Sequence, residues 1–203
     1  MSDHGDARLA ARRAIEFETI DLKLADTVNS ALDAEAYCTK RYNQTFVGVG
    51  ELRSSLNAVE WELYECVSLL HMLGEMRRRT ATEFGLSPGE PMRHVFPELV
   101  GIRHAIHHNG LVGLNLTTTL PDPHVVVLTK SVRRHGNWDD DTPDFETFFH
   151  DADDAMVVSA LLEEARDRAP EVVSDTVERL QRLFGVAELR EHARSVDLYS
   201  DPS

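Results

Sequence analysis

The sequence predicts an all-α protein, a helical bundle into which a small β-hairpin is inserted, and three observations carry that prediction. Leu52, Leu56, Val59, Leu63, Cys66, Leu70 and Leu73 recur at alternating spacings of four and three, one apolar seam along about six turns of helix. Phe17, Ile20, Leu24, Val28 and Ala31 form a comparable seam upstream. The β-prone runs 114–119 and 124–130 are short and flank Pro121-Asp122-Pro123, which reads as a single hairpin around a turn. At 203 residues the chain is expected to be one domain, 1–203, with core helices over 1–110, the hairpin over 111–135, and an acidic loop with C-terminal helices over 136–203.

Taken in order, the first two seams make an antiparallel helical hairpin joined through 42–50, where Gly48 and Gly50 loosen the chain. The second helix runs through Arg77-Arg78-Arg79 and stops in the stretch from Gly85 to Pro91, which contains Ser87-Pro88-Gly89. Three arginines in a row have phosphate-binding chemistry; the expectation here is a solvated helix end. A short third helix begins near Pro97, a residue suited to a first turn, and ends at Asn109-Gly110. After the hairpin, 137–154 holds eight acids and no Lys or Arg, which reads as a solvated loop, and no glycine sits where a calcium loop needs one. The remainder is expected as three helices, Ala155–Ala169, Glu171–Phe184 and Ala187–Val196, separated by Pro170 and Gly185.

The net charge of -14 opposes any phosphate-bearing partner, but its distribution is uneven. Residues 1–76 carry 7 Lys/Arg against 13 Asp/Glu, 77–135 carry 8 against 4, and 136–203 carry 6 against 18. The basic middle segment also holds six of the ten histidines, so an acidic body is expected to present one local patch for an anion. The basic residues are 18 Arg and 3 Lys, a bias shared by halophilic proteins and by GC-rich genomes. Without a signal-like start or an apolar run near the ~18 residues of a membrane span, a cytoplasmic protein with no membrane partner is expected. Cys38 and Cys66 fall in helical patterns and are expected to be buried small hydrophobes.

The third helix carries the densest functional run in the chain, Arg103-His104-Ala105-Ile106-His107-His108-Asn109-Gly110. At ~100° per residue, Val95, Leu99, Ile102 and Ile106 share an arc of about 60°, the face toward the core. Relative to Ile102, Arg103, His107, His104 and His108 lie at about 100°, 140°, 200° and 240°, so all four are expected to point away from the core. Histidine titrates nearest neutrality and arginine grips phosphate oxygens bidentately, which makes this face a candidate for phosphate binding with proton transfer.

This run resembles the motif of the HEPN family, small all-helical domains that carry Arg, a polar residue, three further residues and His (RxxxxH) on a bundle helix. The likeness covers about nine residues and the helical context from roughly 10 to 110. It implies a homodimer in which two motifs face each other and form one composite, metal-independent endoribonuclease site of the toxin or host-defence type, needing no cofactor. By that likeness Arg103 neutralises the scissile phosphate and His108 acts as general base or acid on the 2'-hydroxyl and the leaving oxygen, with His104, His107 and Asn109 in support. The products would be 2',3'-cyclic phosphate ends, the substrate RNA, and a further partner a cognate antitoxin or inhibitor protein. The chemistry is coherent in itself: the 2'-hydroxyl needs a base titrating near neutrality, and the phosphorane needs added positive charge. Arg103 and His108 stand about 140° apart around one helix, and a facing copy supplies the missing convergence. The sequence departs from the pattern at Gly110, where some relatives carry a tyrosine that a partner nucleotidyltransferase modifies, and at His104, where Asn or Asp is usual. Besides a helical scaffold whose histidines merely decorate a dimer or solvent face, two other readings stay open. His104 and His108 have the i, i+4 spacing of helical metal ligands, although the glutamate of a metalloprotease helix is replaced by Ala105. A non-catalytic nucleotide- or protein-binding module of the same family is the other.

Overall fold

The computed structural model describes residues 3–44, 48–109, 114–117, 123–128 and 155–194. It is a helical bundle with one small antiparallel sheet. Helices α1 (Asp3–Tyr42) and α2 (Val49–Phe84) are its long members, about 60 and 54 Å at 1.5 Å per residue. They run antiparallel: Arg13 near the start of α1 pairs with Glu83 at the end of α2 (2.7 Å), while Tyr37 and Arg41 lie beside Glu51 and Ser55 at the opposite ends. Both expected seams form the interface. Phe17, Leu24, Val28 and Ala31 meet Val59, Leu63, Cys66 and Leu73 in the core, and Leu52 and Leu56 are half-buried at its edge. Gly85, in the left-handed region at φ +62°, closes α2. Cys38 and Cys66 are buried and unpaired, and burial pushes the Cys66 thiol up to about 12.

Beyond the expected loop comes a one-turn helix that the sequence did not announce, α3 (Met92–Val95), and then α4 (Pro97–Asn109) with the expected bounds. Val95 therefore lies outside α4, yet it is buried with Leu99, Ile102 and Ile106 as the core-facing arc requires.

The expected hairpin is there, strand β1 (Leu114–Thr117) antiparallel to β2 (His124–Leu128), with Leu116 opposite Val125. It is not alone. Residues Ala155–Val157, expected to be helical, form a third strand, β3, that pairs antiparallel with β2, Val127 opposite Met156. As the central strand β2 buries Val125, Val126 and Val127 consecutively, the continuous apolar run expected of a strand covered on both faces. Val125 N–H donates to the buried carboxylate of Glu35 on α1 at 3.2 Å, tying sheet to bundle.

Helix α5 (Val158–Phe184) corrects a second expectation, because Pro170 does not divide it. Interior proline costs ~3 kcal/mol and removes one ladder bond. Pro170 is exposed, while Leu162, Ala165, Ala169, Val172, Val173, Thr176 and Leu180 keep one buried face in phase across it. Burial of that face outweighs the local penalty. Gly185 (φ +83°) does break the chain, and α6 (Val186–Ala193) follows, its Leu189 packing with Leu180, Ala10 and Ala11. The expected acidic loop, the tip of the hairpin turn and the end of the last predicted helix lie outside the described residues. Among the described residues no helix is long and apolar enough to cross a membrane.

Candidate functional site

Helix α4 lies against α2 and α3, and its two faces divide as the sequence requires. Leu99, Ile102, Ala105 and Ile106 are buried, Arg103 and His104 are half-buried, and His107 is exposed. The backbone at 108 and 109 belongs to α4, but the side chains of His108 and Asn109 lie outside the described residues. The described part of the motif is thus Arg103, His104 and His107.

Packing adds a residue that the motif does not contain. His71, exposed on α2, lies at the mouth of the same cleft as Arg103 and feels the charges of Arg103 and His107 across the helix interface. Its pKa is lowered by partial burial and by the nearby Arg103 and His107, with Glu75 opposing, so the neutral imidazole is favoured. Arg103 makes no side-chain hydrogen bond or ion pair among the described residues. Burial lowers its pKa, and Glu75 and Tyr64 oppose through space. An arginine remains charged at any such shift, so it presents a cation with no ion pair among the described residues. His71 escaped the sequence reading because it sits on a solvent stripe with no local motif. A faint signal was present: Gly74, one turn on, interrupts a long helix, and a Cβ there would come within 2.6 Å of Met92 Cγ, the mark of a close approach.

Between α2, the 85–91 loop, α3 and α4 lies a cleft of about 370 Å³. Its floor is apolar, made by Val67, Leu70, Met92, Leu99 and Val100. Arg77, Arg78, Arg93 and Arg103 line it, four of the eight basic residues in the positively charged middle segment. Glu75 and Glu90 line the same cleft.

The triple-arginine run resolves into unlike members. Arg78 and Arg79 are exposed, as a solvated run should be, and Arg78 pairs with Glu75 at 2.7 Å. Arg77, 6% exposed, departs from that expectation. It donates to the Glu90 carbonyl at 2.9 Å and lies 3.7 Å from the Asp175 carboxylate on α5. Gly89 (φ +73°) leaves room for its guanidinium, since a Cβ there would collide with Arg77 Nη2. Arg77 therefore clamps the loop to the bundle.

Among the described residues no group of three or more His, Cys, Asp or Glu side chains gathers in metal-binding geometry, and His104 is the one described member of the alternative His104/His108 pair. Compared with models of protein families, with curated proteins and with solved structures, the chain matches none.

Proposed function

We propose that the protein is a metal-independent endoribonuclease acting as a homodimer, with a composite site built from Arg103 and His108 of both copies. The observation that carries this reading is Arg103: half-buried, without an ion-pair partner among the described residues, and flanked by the imidazoles of His71 and His107. An anion-binding cation beside imidazoles is the minimal equipment for phosphodiester transfer. In the reaction, one His108 removes the 2'-hydroxyl proton as the 2'-oxygen bonds to phosphorus. Arg103 neutralises the phosphorane, the bond from phosphorus to the 5'-oxygen breaks, and the partner's His108 protonates that oxygen. A 2',3'-cyclic phosphate and a free 5'-hydroxyl result, with no metal or cofactor required. The acidic remainder of the chain confines RNA to the cleft region and suits a basic antitoxin or inhibitor; a toxin of this kind acts in the cytoplasm.

The test is incubation of the purified protein with total RNA in EDTA. Cleavage that survives chelation, leaves cyclic phosphate ends and is lost in both Arg103→Ala and His108→Ala supports the reading. Intact RNA from a folded wild-type protein, or a protein that stays monomeric at the concentrations where it cuts, refutes the composite site.

A further inference from the structure

We propose that the cleft between α2, α3 and α4 is a nucleoside subsite, taking the base adjoining the phosphate that Arg103 holds. The cleft combines an apolar floor with a basic rim. Its floor is apolar and built from rigid elements, Val67 and Leu70 on α2, Leu99 and Val100 on α4, with Met92 laid across Gly74. A flat apolar ring fits that floor, and the thioether of Met92 favours contact with an aromatic edge. The rim carries Arg93 from α3 and Arg103 from α4, neither in an ion pair among the described residues. Two guanidinium groups at one mouth favour a phosphate over a single carboxylate, since each can take two oxygens. The volume, about 370 Å³, lies at the small end of ligand pockets, in the range for one nucleotide unit.

The other charges around the cleft leave that assignment intact. Arg77 at the inner end is tied to the Glu90 carbonyl, and Arg78 to Glu75, so both are structural or already neutralised. The Glu90 carboxylate, exposed at the rim, is an acceptor without a described ion pair; beside a base it selects an exocyclic amino group, as carboxylates do with cytosine. The subsite is therefore expected to prefer amino-bearing bases over uracil.

Placing the phosphate on Arg103 rests on the ribonuclease reading; occupation of the cleft does not, because binding is measured without turnover. The full chain is titrated calorimetrically with the 3'-monophosphates of the four ribonucleosides, with ribose 5-phosphate, with inorganic phosphate and with laurate. The amino-bearing nucleotides are expected to bind at least ~10-fold more tightly than ribose 5-phosphate or phosphate, the equivalent of about 1.4 kcal/mol. Val100→Trp, which fills the cleft from a half-buried position, and Arg93→Ala should each weaken nucleotide binding about tenfold while circular dichroism stays unchanged. Glu90→Gln should erase the discrimination against uridine. Equal affinity for nucleotide and ribose 5-phosphate, tighter binding of laurate, or no response to Val100→Trp in a folded protein overturns the subsite. Nucleotide binding with no RNA cleavage leaves the subsite standing and the ribonuclease fallen. Cleavage with unaltered site preference and affinity in Val100→Trp does the reverse.

Discussion

Arg77 and Arg103 line one cleft, yet the protein treats them oppositely. At the inner end, Arg77 is buried, donates to a backbone carbonyl and faces a carboxylate. At the outer end, Arg103 is half-buried and no described acid pairs with it. A buried cation left unpaired is costly, so folding alone favours a site like that of Arg77. No described ion pair or hydrogen bond accounts for Arg103, and groups whose titration is shifted concentrate where an external partner binds. The cleft is thus anchored at one end and available at the other.

The largest effect that would sharpen this contrast is on activity. Arg103→Ala is expected to lower RNA cleavage by about 10²–10³-fold, the usual loss on removing one group that stabilises a developing oxyanion, while the melting temperature moves little. Gel-based cleavage rates alongside thermal melts check both halves. A variant that cuts normally, or one that unfolds, would merge Arg103 with Arg77 into a single structural class.

Arg77→Ala should behave in the opposite sense. It removes the buried hydrogen bond to the Glu90 carbonyl, while Asp175 keeps Arg179 at 2.8 Å, and is expected to cost about 2 kcal/mol in urea unfolding. Nucleotide affinity in the surviving folded fraction should fall far less than in Arg103→Ala. Gly89→Ala probes the same anchor more gently. Its φ of +73° and the collision with Arg77 Nη2 predict about 1–2 kcal/mol of destabilisation, which truncating Arg77 should partly relieve in a double variant.

The difference between the two arginines also shows what the sequence could convey. The helix of the motif was legible to the residue, because Pro97 and Asn109-Gly110 are local signals and the apolar arc has one period. The long hairpin was legible for the same reason. Arg77 was not, since its burial depends on Gly89 and on Asp175, which is ninety-eight positions away on another helix. Strand β3 was missed alike: Ala155–Val157 become a strand only because β2 offers an edge, and local propensity cannot register that edge. Pro170 misled in the other direction, a strong local breaker overruled by a buried face continuous on both sides. Of the candidate site, the motif residues were visible, whereas His71 and the cleft arise from the meeting of two helices.

The smallest effect tests whether the outer end is open to an anion. In the free protein, partial burial and the neighbouring charges of Arg103 and His107 hold His71 below its ordinary value of 6.5. As pH falls through that value the unfolded chain takes up the proton first, so this group withdraws stability on acidification, and His71→Gln should flatten the decline between about pH 7 and 5. A phosphate held by Arg103 reverses the sign locally, because a negative charge between the two groups favours imidazolium. The His71 ring resonance, followed by NMR, is therefore expected to titrate at higher pH when 3'-nucleotide is added, and the shift should vanish in Arg103→Ala. A titration unmoved by nucleotide would place the anion elsewhere and leave Arg103 as idle as the comparison with Arg77 says it is not.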